Sequence, residues 1–135
     1  MSLRVYVAGP PGANEYRLPA TELLIAAGHV PVDPFRRDFR GKTVGHEEEI
    51  VTGDLRDIDE CDAVLADFSE ADEGTAMEAW YARSTGTPIV AHTGGRTPHP
   101  WVVYVARSLH ADLEPAVAAL SAVEPRARRS LRSHP

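Results

Sequence analysis

The sequence predicts a single α/β domain built around a parallel β-sheet. Short apolar runs that end at turn residues alternate along the chain with longer segments of helical pattern, which is the arrangement of βαβ units. The chain has 135 residues, of which 43% are hydrophobic and 25% charged, as expected for one globular domain. Ligands of such sheets bind outside the carboxyl ends of the strands, so the loops that follow the strands are where we expect a site.

The first unit of the chain is a strand, a helix and a short second strand. The apolar run 3–8 predicts a buried strand that ends at the glycine–proline loop 9–12. Residues 18–27 have a helical pattern, and Gly28 follows as a helix C-cap. Residues 29–32 predict a second, short strand.

The middle of the chain contains the clearest strand. Residues 33–43 are charged and rich in turn formers, and they predict a mobile loop. A helix is expected over 47–59, with Gly53 as its weakest position. The apolar run 63–68 predicts a fully buried strand, and the polar loop 69–73 follows it.

The last third continues the alternation. A helix is expected from about residue 74 to 85, and a fourth strand over 88–91. Residues 93–100 contain two glycines and two prolines and predict a loop. Residues 101–106 are ambiguous, because their β-branched and aromatic side chains favour a strand while the preceding proline favours a helix start. Residues 113–123 predict a final helix.

The charge is distributed unevenly. The chain carries a net charge of −6, of which residues 124–135 contribute +3, so residues 1–123 carry −9. An acidic body argues against a nucleic-acid polymer as partner. We therefore expect a domain over 1–123 and a basic, disordered tail over 124–135, with weak anion binding as an alternative role for the tail.

Several protein classes are excluded by what the sequence lacks. No apolar run approaches the roughly 20 residues that span a bilayer, and no signal-peptide pattern precedes the first strand, so we expect a cytoplasmic protein without membrane contact. The single cysteine, Cys61, excludes an internal disulfide and a cysteine-built metal site. The six histidines are scattered, so no metal is expected.

The segment with the strongest chemical signal begins at the polar loop after the third strand. Gly74 allows a ligand to approach the backbone where the helix begins, and the free N–H groups there favour negative charge. Glu78 lies about one turn further on, where the helix dipole would keep it ionised and able to attack an electrophilic carbon. The alternative is an acidic first turn that only complements the dipole.

A set of motifs resembles the nucleoside 2-deoxyribosyltransferase family. The resemblance extends over residues 4–122, and its stretch from Asp54 to Val90 is the most specific part, because several motifs occur there in the right order and spacing. The matching segments are Tyr6-Val7-Ala8-Gly9-Pro10, Asp54-Leu55, Cys61-Asp62-Ala63-Val64, Asp72-Glu73-Gly74-Thr75-Ala76-Met77-Glu78 and Gly86-Thr87-Pro88-Ile89-Val90.

The resemblance implies a fold and a set of roles. The fold is a flavodoxin-like doubly wound parallel sheet of four to five strands, with helices on both faces. Glu78 matches the nucleophile, Tyr6 the residue that orients it, Asp54 the acid that contacts or protonates the departing base, and Asp72 the residue that holds the sugar 5′-hydroxyl. No metal or organic cofactor is implied. Asp54 would have to be protonated near neutral pH, which crowding by other carboxylates favours.

Five further positions are candidates for substrate contact or assembly. Gly9 either shapes the sugar pocket or only forms a turn, and Ser69 reaches a 5′-phosphate if its loop is shifted. Many members of the family bring an asparagine from a neighbouring subunit into each site. The matching region here contains His99, which is either that polar visitor or an ordinary surface histidine. We also expect a homo-oligomer, because Trp101 and Tyr104 are large aromatics of the kind that anchor interfaces.

The function expected from these residues is transfer of a deoxyribosyl group between nucleobases through a glycosyl-glutamate intermediate. Two alternatives are a nucleoside 5′-monophosphate N-glycosidase and a non-catalytic nucleotide-binding module. Asp72 favours a nucleoside, because an ionised carboxylate accepts a hydrogen bond from a hydroxyl but repels a phosphate. Trp80 departs from the family's glycine and would narrow the pocket or change how the helix packs.

Overall fold

Five strands form the sheet of this computed structural model, which describes residues 2–11, 14–37, 39 and 41–126. In chain order the strands are β1 (Arg4–Ala8), β2 (Val30–Val32), β3 (Ala63–Asp67), β4 (Ile89–His92) and β5 (Ser108–His110). All neighbouring strands pair in parallel, in the spatial order β2-β1-β3-β4-β5. This order is that of flavodoxin-like doubly wound sheets, so the predicted fold class is confirmed.

Helices cover both faces of the sheet. In chain order they are α1 (Asn14–Ala26), α2 (Glu47–Asp59), α3 (Glu73–Ser84), α4 (Pro100–Val105) and α5 (Leu113–Ala119), with short 3₁₀ turns at Pro34–Arg36 and Leu120–Ala122. Helices α1 and α5 pack on one face, and α2, α3 and α4 lie on the other.

The side chains of β1 alternate between the two faces of the sheet and therefore pack into two different cores. Val5 and Val7 are buried beneath α1 and α5, whereas Tyr6 and Ala8 are buried in the core that α2, α3 and α4 cover. Successive side chains of a strand point to opposite faces, so this division follows from the period of two. The register that pairs Tyr6 with Val64 places Tyr6 in the sheet interior, on the side of α3.

Three elements differ from the sequence-based expectation. Helix α1 begins at Asn14 instead of residue 18, so Pro19 lies inside the helix. Strand β5 is additional to the expected strands, because its three residues are half-buried at the sheet edge and do not form an apolar run. The ambiguous segment is the helix α4, since the His99 side chain accepts a hydrogen bond from the Trp101 N–H and Pro100 occupies the first helical position.

Residues 33–37 are more structured than the predicted mobile loop over 33–43. Asp33 caps the 3₁₀ turn Pro34–Arg36 by accepting a hydrogen bond from the Phe35 N–H at 2.9 Å. The arginines that follow are bound to carboxylates of α2. Capping and ion pairing therefore fix residues 33–37, which composition alone assigns to a mobile loop.

The C-terminal contacts extend as far as Arg126. Its N–H donates to Asp62 at 2.8 Å, and its guanidinium donates to the Cys61 carbonyl at 2.9 Å and to the Thr87 hydroxyl at 2.7 Å. The remainder of the predicted tail, 127–135, and residues 12–13 of the glycine–proline loop lie outside the described residues. Cys61 is fully buried, and burial raises the pKa of its thiol to about 12. Within the described ranges, no helix is long and apolar enough to cross a membrane.

Candidate active site

A cavity of about 450 Å³ opens at the carboxyl end of the sheet, beside β1. This volume is within the range of small-molecule sites, and the position agrees with the rule for doubly wound sheets. Its lining combines apolar and glycine residues with two threonines, three carboxylates and one arginine: Gly9, Pro11, Pro34, Phe35, Arg37, Phe39, Gly41, Thr43, Ile50, Asp54, Asp72, Gly74, Thr75 and Glu78.

Tyr6 and Glu78 are joined by a short hydrogen bond. The Tyr6 hydroxyl donates to Glu78 Oε2 at 2.5 Å. Tyr6 is fully buried on β1, and α3 carries Glu78 across the same face of the sheet. Burial, followed by the negative charge of Glu78, raises the pKa of Tyr6 well above its usual range, so the phenol stays a neutral donor. The strand and the helix together therefore fix the orientation of the Glu78 carboxyl.

The protonation of Glu78 differs from the sequence-based expectation. Burial, together with the charge of Asp54, raises its pKa to about 8, although the Tyr6 hydrogen bond acts in the opposite direction. The helix begins at Glu73, so Glu78 lies beyond the first turn, where the helix dipole has lost most of its effect. Burial therefore outweighs the dipole, and the free protein holds a proton on this site at neutral pH.

Asp54 faces Glu78 from α2. Burial raises the pKa of Asp54 above its usual value, although the hydrogen bond and charge of Arg37 act in the opposite direction. The negative charge of Asp54 is one of the causes that raise the pKa of Glu78. Two carboxyls whose pKa values depend on each other titrate as a pair and share their last proton.

Arg37 links Asp54 to a second carboxylate. Its Nη2 lies 3.1 Å from Asp54 Oδ1 and 2.8 Å from Asp57 Oδ2. Arg36 binds Asp57 with both terminal nitrogens, each at 2.9 Å. Burial raises the pKa of Asp57, but the two arginines outweigh it and hold the pKa below its usual value. Sequence reasoning missed this network, and the Asp33-Pro34 pair, a cap followed by a helix-starting proline, was the signal available.

Asp72 caps α3 and also lines the cavity. Its Oδ2 accepts hydrogen bonds from the Thr75 N–H at 2.9 Å and from the Thr75 hydroxyl at 2.7 Å. Gly74 lines the cavity beside it, where an added Cβ would meet only Asp72 Oδ2, at 3.5 Å. The start of α3 therefore places the Asp72 carboxylate and the open backbone at Gly74 on the same wall of the cavity.

Arg17 and Gly9 organise the loop after β1. The Arg17 guanidinium is buried and donates to the carbonyls of Val7, at 3.1 Å, and of Gly9, and it pairs with Asp33 at 2.8 Å. It is therefore engaged with the backbone of this loop. An added Cβ at Gly9 would lie 2.8 Å from the ring of Tyr16, so the glycine is required for packing as well as for lining the cavity.

Two of the predicted contact residues lie outside the cavity of this chain. The Ser69 N–H donates to Asp67 Oδ1 at 3.0 Å, and this turn directs Ser69 toward Gly94. His99 caps α4 through the Trp101 N–H at 3.1 Å. Ser69 therefore does not line the cavity. A contribution of His99 to the site of a neighbouring subunit stays a prediction.

Trp80 leaves the pocket open. Its side chain is partly exposed on α3, and its ring centre lies 5.5 Å from that of Trp101. It therefore changes the outer surface of the helix and does not narrow the cavity. Among the residues that the structure describes, no group of three histidine, cysteine, aspartate or glutamate side chains is arranged to hold a metal ion.

Comparisons with known proteins agree with the fold. A family model described as nucleoside 2-deoxyribosyltransferase matches residues 5–119. The 2-deoxyribosyltransferase of the psychrotolerant bacterium Bacillus psychrosaccharolyticus superposes with a TM-score of 0.74 at 17% identity, over 92% of this chain and 99% of that one. A conserved protein from Enterococcus faecalis V583 superposes with a TM-score of 0.68 at 15% identity, over 90% of this chain and 98% of that one. No curated protein sequence matches the chain.

Proposed function

The chain belongs to the nucleoside 2-deoxyribosyltransferase family, and from this premise we propose that it moves a 2-deoxyribosyl group between nucleobases with Glu78 as the nucleophile. The observation that carries the proposal is the hydrogen bond from Tyr6 to Glu78 at a cavity of about 450 Å³ that Asp54 also lines. A carboxylate nucleophile and a neighbouring carboxylic acid are the two groups that cleavage of a glycosidic bond requires.

The first half of the reaction forms a covalent intermediate. A Glu78 carboxylate oxygen attacks C1′ of the sugar through an oxocarbenium-like transition state, and the bond from C1′ to the base nitrogen breaks. The electron pair of that bond stays on the base, and Asp54 supplies the proton that neutralises it. The products are a glycosyl ester on Glu78, a free base and an ionised Asp54.

The second half reverses these roles. A nitrogen of the acceptor base attacks C1′, the ester bond to Glu78 breaks, and the proton of the incoming nitrogen passes to Asp54. Tyr6 donates to the Glu78 carboxylate whenever that group is released in its charged form. Water in place of the base gives hydrolysis by the same steps.

Asp72 supports a nucleoside as substrate over a 5′-monophosphate. It lines the cavity, and its carboxylate accepts a hydrogen bond from a 5′-hydroxyl but repels a phosphate. Two like charges about 4 Å apart at a partly exposed site repel by roughly 4 kcal/mol. Of the described lining residues, Arg37 is the sole cation, and it is bound to Asp54 and Asp57. Arg17, which lies at the loop after β1, is engaged with the carbonyls of Val7 and Gly9.

The direct test is incubation with deoxynucleosides and their 5′-monophosphates, with and without an acceptor base, followed by chromatography of the products. Wild type is expected to exchange bases on deoxynucleosides, and Glu78→Gln to lose at least a hundredfold in rate, about 2.7 kcal/mol. Glu73→Gln is the matched control, because it removes a carboxylate from the exposed first turn of the same helix. Retention of more than a tenth of the rate by Glu78→Gln contradicts the assignment.

The variant Asp72→Ser tests the choice of substrate. Serine is an effective helix cap, so the fold is retained, and the carboxylate is removed from the cavity. We expect wild type to prefer deoxynucleosides and Asp72→Ser to gain cleavage of the monophosphates. Faster cleavage of monophosphates by wild type establishes the nucleotide hydrolase instead, and turnover of neither class establishes a binding module.

We also propose that the active form is a homo-oligomer. Trp80, Trp101 and Tyr104 are 46%, 64% and 62% exposed on α3 and α4. The rings of Trp80 and Trp101 are in contact, and the guanidinium of Arg83 lies 4.7 Å from the ring centre of Tyr104. Aromatic and arginine side chains are enriched at interfaces, so this surface favours self-association.

A further inference from the structure

The guanidinium of Arg37 packs against α2 at a glycine, Gly53. An added Cβ at Gly53 would lie 3.2 Å from Nε and Nη2 of Arg37 and 3.3 Å from its Cζ. Gly53 is buried in the middle of α2, where glycine is a poor helix former. The helix interior therefore has a glycine where the guanidinium of Arg37 lies against its backbone.

Two carboxylates of α2 also hold the same guanidinium. Nη2 contacts Asp57 at 2.8 Å and Asp54 at 3.1 Å, and Asp57 is itself fixed by two hydrogen bonds from Arg36. A flexible side chain that is bounded by a glycine and two carboxylates has few alternative positions. Its contact with Asp54 is therefore a defined feature of the site.

We propose that Arg37 is a positioning residue that selects which carboxyl of the site holds the shared proton, by keeping Asp54 ionised so that the proton resides on Glu78 in the free protein. A cation in contact with a carboxyl favours its charged form. Asp54 has this contact, whereas Glu78 accepts its short hydrogen bond from the neutral hydroxyl of Tyr6. This inference rests on the proposed function, because it concerns the two carboxyls that perform the reaction there.

The other charged groups around the pair do not exchange protons in the neutral range. Tyr6 from β1 stays protonated, and Asp57 from α2 stays ionised because the arginines lower its pKa. Arg17 from α1 favours a charged Glu78 through its electric field, and it is permanently charged. Arg37 is thus the group whose contact distinguishes Asp54 from Glu78.

For catalysis, this arrangement means that the proton must move from Glu78 to Asp54 before the reaction can begin. Attack on C1′ needs an ionised Glu78 and a protonated Asp54, the reverse of the arrangement that Arg37 favours. Arg37 lines the cavity. A nucleobase that accepts a hydrogen bond from Arg37 weakens its contact with Asp54, and the proton then moves from Glu78 to Asp54. Substrates without an acceptor at that place leave the resting state unchanged.

The test is a carboxyl-carbon NMR titration of the free protein, which needs no substrate. In wild type we expect the Glu78 carboxyl to titrate last, at neutral to alkaline pH. In Arg37→Met, which keeps the length and removes the charge, we expect the last titration to pass to Asp54 and to move upward by about one pH unit or more. Arg37→Lys is expected to restore part of the wild-type order, and Arg37→Gln gives a second uncharged variant should Arg37→Met not fold.

The matched control is Arg36→Met. It removes an equal charge from the same network without a contact to Asp54, so the wild-type order of titration is expected to remain. In turnover, the alkaline limb of kcat/KM is expected to move upward in Arg37→Met and to stay in place in Arg36→Met. Unchanged titration of Asp54 and Glu78 in both uncharged Arg37 variants overturns the inference, whatever the activity. Absence of nucleoside turnover together with the exchanged titration order overturns the proposed function and leaves the positioning role intact.

Discussion

At the scale of single residues, the Glu78 carboxyl combines two opposed requirements. The proposed attack on a sugar carbon needs the charged form, whereas burial favours the neutral form and raises the pKa to about 8. The folded protein therefore keeps a proton that the unfolded chain releases near the ordinary value of 4.5. In its proposed role as nucleophile, Glu78 lowers stability for the sake of activity, as functional sites often do.

Replacing Glu78 by glutamine is expected to flatten the dependence of stability on pH. Between pH 4.5 and about 8 the unfolded chain has lost the Glu78 proton and the folded chain still holds it, so wild-type stability falls as pH rises through this window and levels off above it. A difference of one between the folded and unfolded pKa values corresponds to about 1.4 kcal/mol of stability at most. We expect Glu78→Gln to be more stable than wild type at pH 8 and little different near pH 4.5. Denaturant unfolding at both pH values measures this, and parallel pH profiles contradict it.

Removal of the Tyr6 hydroxyl is expected to impair Glu78 without disturbing the core. Tyr6→Phe retains the buried ring, but the Glu78 carboxylate loses its 2.5 Å donor. Since that hydrogen bond favours the charged form, its loss raises the pKa of Glu78 further. We expect a fall of about tenfold or more in turnover at pH 7, roughly 1.4 kcal/mol, and an upward shift of the alkaline limb of the pH–rate profile. Wild-type turnover with an unshifted profile shows that Tyr6 does not act on Glu78.

At the scale of elements, α2 and the 3₁₀ turn before it form one functional unit. The turn delivers Arg36 and Arg37, and α2 supplies Asp54, Asp57 and the space at Gly53. A helix interior usually disfavours glycine, so this position reflects a requirement that lies outside the helix itself.

Substitution of Gly53 by alanine is expected to separate stability from function. Alanine is the better helix former by about 1 kcal/mol, but its Cβ would lie 3.2 Å from the guanidinium, which must shift by a few tenths of an ångström. We expect an unchanged or higher melting temperature together with an upward shift of the alkaline limb of kcat/KM, smaller than that of Arg37→Met. Thr52→Ala, at an exposed neighbour on the same helix, is the control. A wild-type pH profile in Gly53→Ala shows that Arg37 does not need this glycine.

The strands of the sheet differ in how well the sequence predicts them. Strands β1 and β3 are continuous apolar runs, because parallel strands are buried on both faces, and their predicted bounds agree with the structure almost to the residue. Strand β5 lies half-buried at an edge and has no such signature. The resemblance to a known family selects Tyr6, Asp54, Asp72 and Glu78, and the structure brings these four residues to one site.

What escaped sequence reasoning depends on contacts between distant positions. The pairing of Arg37 with Asp54 spans 17 residues and starts in a turn-rich segment, so no local periodicity reveals it. The protonation of Glu78 follows from burial, which is a property of the packed fold and not of the helix that carries the residue. Local patterns identify elements and single site residues, whereas electrostatic coupling requires the assembled site.

At the scale of the whole molecule, the exposed aromatic surface of α3 and α4 contrasts with the acidic body of the chain. We expect sedimentation at micromolar concentration to show an oligomer. Trp101→Glu is expected to dissociate it, because a charge at an apolar interface is costly to bury, and to reduce activity where a neighbouring subunit completes the site. Ile25→Glu, at an exposed position of α1 across the sheet, is the control and is expected to leave the assembly intact. A wild-type monomer with full activity contradicts the prediction.

The reactivity of the buried Cys61 thiol can be used to measure how often the fold opens locally. The side chain is fully buried, its pKa is raised to about 12, and Arg126 bonds to its carbonyl. A thiol reagent therefore reacts only during excursions in which the junction between α2 and β3 separates. The ratio of its reaction rate to that of a free thiol reports the free energy of those excursions. We expect the nucleoside of the proposed reaction to stabilise the closed form by mass action, so that the rate of chemical labelling reports its occupancy from a position remote from the cavity.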